Sequence, residues 1–188
     1  MIQAILLAAG SSRRFGVDKL HVPLDDGLPL VLWTARNLRA AGCPVLAVVR
    51  PGDRVTADLL TSVSGVEVSA CPGAERGMGR SLAWGVARSA GAAGWLVALG
   101  DMPYLRPRSI RSVLDAVSAG ALIAAPVLAG QRGHPVAFSR HWRHELLRLD
   151  GDEGARSILR AHSDLLKLVP CGDPGVLRDI DRPSDLAR

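Results

Sequence analysis

The sequence predicts a three-layer α/β/α sandwich built on a mostly parallel β-sheet, and three observations carry that prediction. Short apolar runs of β type alternate with amphipathic helical runs along nearly the whole chain, the pattern of strand–helix–strand units joined by right-handed crossovers. The strand-like runs are continuously apolar rather than alternating, as expected of strands covered on both faces. The loops after the first and fourth runs gather glycine and polar residues, and ligands of such sheets bind beyond the carboxyl ends of the strands.

Ile2–Leu7 reads as the first buried strand, followed by a loop rich in Gly, Ser and Arg that runs to Lys19. Helical spacing through Val31, Ala35 and Leu38 predicts a helix over Pro29–Ala41, with Gly42 at the C-terminal cap. Val45–Val49 is a second strand ended by Pro51-Gly52-Asp53, and Val55, Leu59, Leu60 and Val63 mark the next helix. Val66–Ala70 is a third strand, and a turn-rich stretch leads into a helix over Arg80–Ala90. Trp95–Leu99 is the fourth strand, stopped by Gly100-Asp101-Met102-Pro103. Pro107 suits a first helical turn, and Ile110, Val113, Leu114 and Val117 repeat at helical intervals after it. Ala121–Ala125 and Pro135–Phe138 read as strands, His141–Leu149 and Glu153–Ala161 as short helices, and Leu165–Val169 and Val176–Ile180 as closing strands.

At 188 residues the chain has the size of one domain, and no linker divides it, so residues 1–188 are expected to form a single unit. The apolar runs Ala4–Ala9 and Ala121–Val127 fall far short of the ~20 residues a membrane span needs. The first strand-like run starts directly after Met1 with no basic n-region, so no secretory leader is expected. A cytoplasmic protein with no membrane partner is expected. Three widely spaced cysteines, Cys43, Cys71 and Cys171, form no CxxC pair, which argues for buried thiols rather than a zinc site or a disulfide framework. The net charge is +5, and only Lys19 and Lys167 among 23 basic residues are lysines. With 4% aromatics and no basic stripe, a nucleic-acid partner is not expected. A small anionic substrate suits the arginine-rich balance better.

The first loop reads Leu7-Ala8-Ala9-Gly10-Ser11-Ser12-Arg13-Arg14-Phe15-Gly16-Val17-Asp18-Lys19. Small residues at Ala8–Ser12 let the backbone approach a ligand and aim several N–H groups at one anion. Arg14 adds a planar fork for phosphate oxygens and Lys19 a compact charge. Gly16 is followed by Val17 rather than by Lys and Ser/Thr, so this is no Walker loop, and no GxGxxG follows the strand. The alternative is an ordinary glycine-rich turn with two solvated arginines. After the fourth strand, Asp101 stands at the carboxyl edge of the sheet, with Pro103 and Pro107 delaying the next helix. Magnesium takes one or two carboxylates together with substrate phosphates, and Asp101 is placed to be one.

The pattern Leu-Ala-Ala-Gly-x-Ser-x-Arg-x-Gly-x-x-Lys over residues 7–19 resembles the N-terminal signature of nucleotidyltransferases that act on the molybdenum cofactor, and of the wider group activating sugar and alditol phosphates. Phe15 stands where methionine is usual. The resemblance continues in order through Gly77–Leu82, Gly100–Pro103, Gly133–Val136, Gly151–Arg156 and Asp179–Leu186. It implies the Rossmann-like sheet of the nucleotidyltransferases. It also implies a nucleotide site made by Leu7, Ala8, Ala9, Gly10, Ser11, Ser12, Arg14, Lys19, Gly79, Ser81 and Asp101. Within that site Arg14, Lys19 and Asp101 are the catalytic group. In Asp179-Ile180-Asp181 the resemblance makes Asp181 the second Mg²⁺ ligand beside Asp101, with Asp179 facing away; a plain cap of the last helix is the alternative for Asp181. Gly133-His134-Pro135 resembles the segment that approaches the acceptor, which makes His134 an acceptor contact, against a purely structural histidine.

The activity so implied is transfer of NMP from an NTP to a phosphorylated small molecule, releasing pyrophosphate. Leu-Ala-Ala-Gly and Gly-His-Pro together resemble the cytidylyl branch, with CTP as donor and the phosphate of molybdopterin as acceptor. The methyl of Ala9 crowds a purine more than a pyrimidine. GTP as donor, a sugar or alditol phosphate as acceptor, and a non-catalytic carrier of the cofactor are the alternatives. A molybdoenzyme or its maturation chaperone is the expected macromolecular partner. A dinucleotide oxidoreductase is disfavoured by the missing glycine fingerprint.

Overall fold

The computed structural model describes residues 1–10 and 18–186. Five strands follow the order of the sequence reading: β1 (Ile2–Ala8), β2 (Val45–Val49), β3 (Val66–Ala70), β4 (Gly94–Leu99) and β5 (Ile123–Leu128). A two-residue strand β6 (Gln131–Arg132) then turns back, followed by β7 (Val136–Ser139) and β8 (Leu166–Pro170). The helices are α1 (Leu30–Ala40), α2 (Arg54–Thr61), α3 (Met78–Arg88), α4 (Pro107–Ser118), α5 (Arg143–Leu147) and α6 (Arg156–Ala161).

The sheet runs β3-β2-β1-β4-β7-β5, with β6 and β8 both paired to β5. All contacts among β1–β4 are parallel, and β8 is parallel to β5. Only β7 and β6 run against their neighbours. Successive residues of β1 serve opposite layers: Ala4, Leu6 and Ala8 pack with Leu30, Leu38 and Ile110 of α1 and α4, whereas Ile5 and Leu7 pack with Leu82 and Val86 of α3. Both faces are therefore covered, and the strands read as unbroken apolar runs. The outer strands depart from that pattern. In β3 only Val66 is buried, and β8 leaves Leu168 exposed.

Three elements differ from the sequence reading. Val176–Ile180 is no strand; Pro174–Leu177 forms a single 3-10 turn capped by the Asp173 side chain, and Val176 and Ile180 are buried in the core as separate anchors. The α6 helix starts at Arg156, because Gly154 adopts φ +56° within the preceding turn. His141–Leu149 divides into a 3-10 turn (Arg140–Trp142) and the short α5.

Candidate active site

A cavity of about 890 Å³ opens at the carboxyl edge of the sheet, where β1, β2 and β4 end. Leu7, Ala9 and Gly10 form one wall and Leu99, Gly100 and Asp101 another. Ala8 is turned away: it is 1% exposed and packs in the core, so its part in the loop is confined to the backbone. Gly100 keeps the two walls close. Its N–H donates to Leu7 O at 2.9 Å, and a Cβ there would lie 3.0 Å from that same carbonyl. Helix α1 steadies the second wall, Thr34 donating to Gly100 O at 3.1 Å and Asn37 to Pro103 O at 2.9 Å.

Lys19 and Asp101 meet although 82 residues separate them. The Lys19 ammonium lies 2.7 Å from Asp101 Oδ2 and 2.9 Å from Asp181 Oδ1. It is aimed there by a 3-10 turn (Lys19–His21) whose cap, Asp18, accepts from Leu20 N at 3.2 Å. Arg50, at the end of β2, bridges Asp18 at 2.5 Å and Asp53 at 3.0 Å, fastening this turn to the start of α2. His21 completes the join with a 2.8 Å contact to Thr56.

Carboxylate oxygens of Asp101, Asp179 and Asp181 lie within 4.8 Å of one another. Asp179 thus joins the cluster, contrary to the expectation that it faces away. That expectation came from the family resemblance; the segment is no strand, and both aspartates reach the cluster. Burial lowers the Lys19 pKa, but the carboxylates of Asp101 and Asp181 outweigh it and the net shift is upward. Burial raises the Asp101 pKa; Lys19 opposes this, Asp179 adds to it, and the carboxyl stays above its ordinary range. One ammonium thus pairs with two of three clustered carboxylates, and Asp101 Oδ1 is buried with no hydrogen-bond partner among the described residues. A hard divalent cation suits such a set of oxygen donors.

The opposite side of the cavity comes from the start of α3 and the turn before it: Ala74, Glu75, Gly77, Met78 and Ser81. Ser81 is 3% exposed, and its hydroxyl donates to Gly77 O at 3.4 Å. Gly79 does not line the cavity. Its N–H donates to Gly151 O at 2.7 Å, and a Cβ would come within 2.6 Å of Asp150 O. Gly77 likewise leaves no room for a side chain against Gly151. These glycines let the Asp150–Asp152 turn press against α3, and Asp152 reaches the cavity wall as a result. Arg76 pairs with Asp150 beside this contact. His134 does not line the cavity either. Its Nδ1 is buried without a partner among the described residues, and burial, aided by Arg132 and Arg156, lowers its pKa to about 4. Ser11, Ser12 and Arg14 lie outside the described residues.

Residues 4–165 match the MobA-like NTP transferase domain family. The chain belongs to this family. Among the relatives of this family member is the purine catabolism protein PucB of Bacillus subtilis (strain 168), 30% identical over 193 aligned positions that cover 96% of this chain and 92% of PucB. Nicotine blue oxidoreductase of Paenarthrobacter nicotinovorans is 25% identical, covering 100% of this chain and 95% of its own. The crystal structure of Rv0371c from Mycobacterium tuberculosis H37Rv superposes with a TM-score of 0.86 at 30% identity, covering 100% of this chain and 95% of the other. Rv0371c has also been solved in complex with manganese, matching at a TM-score of 0.82 and 26% identity over 100% of this chain and 96% of the other.

The sequence reading named Lys19, Asp101 and Asp181, which the structure brings together; it set Asp179 aside and did not single out Asp18, Arg50 or Asp152. Asp18 was legible as a polar cap two residues before the apolar Leu20. Arg50 carried much the same signal as Asp101, a charged residue within two positions of the end of a buried strand.

Proposed function

We propose that this family member is a Mg²⁺-dependent nucleotidyltransferase that moves CMP from CTP to the phosphate of molybdopterin and releases pyrophosphate. The observation that carries the transferase reading is the Lys19 ammonium paired with Asp101 and Asp181, two of three clustered carboxylates, in the cavity that Ala9 and Gly10 also line. A phosphate monoester has a second pKa of about 6 and is largely dianionic at neutral pH. Its oxygen therefore needs no general base to attack the α-phosphorus. A new P–O bond forms there as the bridge to the β-phosphorus breaks, and the leaving electron pair departs on pyrophosphate. The work of the protein is to hold two repelling anions in line and disperse the charge that develops.

Lys19 supplies a cation at that point, and the backbone at Ala9 and Gly10 supplies N–H donors for phosphate oxygens. Asp101, Asp179 and Asp181 would hold Mg²⁺, which when bound neutralises phosphate charge. The choice of CTP rests on the methyl of Ala9 in the cavity wall, and that of molybdopterin on the Gly133-His134-Pro135 resemblance. The inward position of His134 gives the second of these less support. The test is pyrophosphate release by purified protein with Mg²⁺, each of the four NTPs in turn, and molybdopterin or a panel of sugar and alditol phosphates. Turnover limited to GTP, or to a sugar phosphate, moves the assignment to that substrate. Tight pterin binding without turnover makes the protein a carrier.

A further inference from the structure

The stretch from Asp173 to Asp181 contains one 3-10 turn and no strand, yet it delivers two of the three carboxylates in the cation cluster. Asp173 is 2% exposed, the only charged side chain of the described residues in the fully buried class. Each of its oxygens receives a backbone N–H. Oδ1 accepts from Gly175 within the stretch at 2.9 Å, and Oδ2 accepts from Arg106, in the loop between β4 and α4, at 2.9 Å. One carboxylate therefore ties the C-terminal stretch to the loop that carries Asp101.

Further contacts join the same two segments. The Ile180 N–H donates to Asp101 O at 2.9 Å. The Arg178 guanidinium lies 3.9 Å from the centroid of the Tyr104 ring, and Gly175 approaches the Tyr104 carbonyl so closely that a Cβ would collide with it. Val176 and Ile180, both 0% exposed, sink into the core on either side of Arg178. Burying a carboxylate is unfavourable unless its hydrogen bonds are satisfied. Ser or Asn would cap the turn without burying a charge, but neither offers two acceptor oxygens for two separate N–H groups.

We propose that Asp173 and the Tyr104–Arg178 stack are positioning residues that set the divalent-cation affinity of the site, by holding Asp179 and Asp181 against Asp101. This rests on the reading of those three carboxylates as a cation site. The experiment titrates Mn²⁺ into the purified full-length chain and follows free Mn²⁺ by electron paramagnetic resonance, without nucleotide, well below the unfolding temperature of every variant. Asp173→Ala raises the dissociation constant by about tenfold or more, the scale seen when groups that orient metal ligands are removed. Tyr104→Leu raises it by a smaller factor. Val117→Ala, a core truncation in the last turn of α4, leaves it unchanged.

Wild-type affinity in both Asp173→Ala and Tyr104→Leu overturns the latch and leaves the cation reading standing. Equal weakening by Val117→Ala also overturns it, since general loosening would then suffice. No Mn²⁺ binding by the wild-type chain overturns the cation reading and the latch together. Asp173→Asn, which keeps the shape and one acceptor, is judged by the same criterion if the alanine variant does not fold.

Discussion

Replacing Lys19 by methionine should tighten divalent-cation binding while slowing turnover. The ammonium makes charge-assisted hydrogen bonds of 2.7 Å to Asp101 and 2.9 Å to Asp181, so a cation seeking those oxygens must first dislodge it. Hydrogen bonds to charged groups contribute about 1.5–3 kcal/mol each. The Asp181 side chain is 50% exposed, which reduces its share to the surface-pair scale of about 0–1 kcal/mol. The competition is thus about 2 kcal/mol. At about 1.4 kcal/mol per factor of ten, Mn²⁺ affinity without nucleotide rises roughly 30-fold in Lys19→Met. In the same variant kcat falls by at least ~10²-fold, because the positive charge stabilising the transferring phosphoryl group is gone. Mn²⁺ titration by electron paramagnetic resonance and steady-state pyrophosphate release measure the two arms. Unchanged or weaker Mn²⁺ binding refutes the argument that Lys19 competes for the cation site, and an effect on KM alone reassigns its charge to ground-state binding.

Asp101→Asn should remove most turnover, since a neutral amide is a poorer ligand for a hard cation than a carboxylate; near-normal kcat under saturating Mg²⁺ would contradict that role. His134 should make the fold acid-sensitive. Its pKa is lowered from 6.5 to about 4, so the unfolded chain binds more protons between those values. The contribution is full above pH 6.5, falls as the pH drops toward 4, and amounts to about 3 kcal/mol at most. Urea midpoints from pH 7 to 4 check this: His134→Gln should flatten that part of the profile, and an unaltered profile would exclude the histidine. Gly79→Ala should destabilise the fold by about 1–3 kcal/mol, because the new methyl meets the Asp150 backbone. A wild-type unfolding midpoint would show that α3 and the Asp150 turn have room to spare.

Much of the site was legible because each functional group stands next to a strong local signal. Lys19 follows a glycine-rich turn after a buried strand, and Asp101 follows Gly100 at the end of another. Asp179 was misread for a physical reason. The resemblance singled out Asp181 as the second ligand and carried no information on the path of the chain, which Asp173, Val176 and Ile180 hold at separate points so that both aspartates reach the cluster. Gly79 was read as a ligand contact because an open helix N-terminus looks the same with a phosphate or a protein turn against it. Only the packed structure reveals that Gly151 takes the Gly79 N–H.

From its residues alone, this chain determines the layered α/β order, the glycine-containing segments that follow β1 and β4, and the residue types able to meet phosphate. Those properties follow from apolar periodicity and backbone sterics, which act over a few neighbouring positions. Tertiary structure decides that Lys19 lies between Asp101 and Asp181, that Asp179 joins them, and that Arg50 and Asp173 hold the framework. Those pairings span tens to more than a hundred residues, and they form only once the core has paid the entropy of closing such loops.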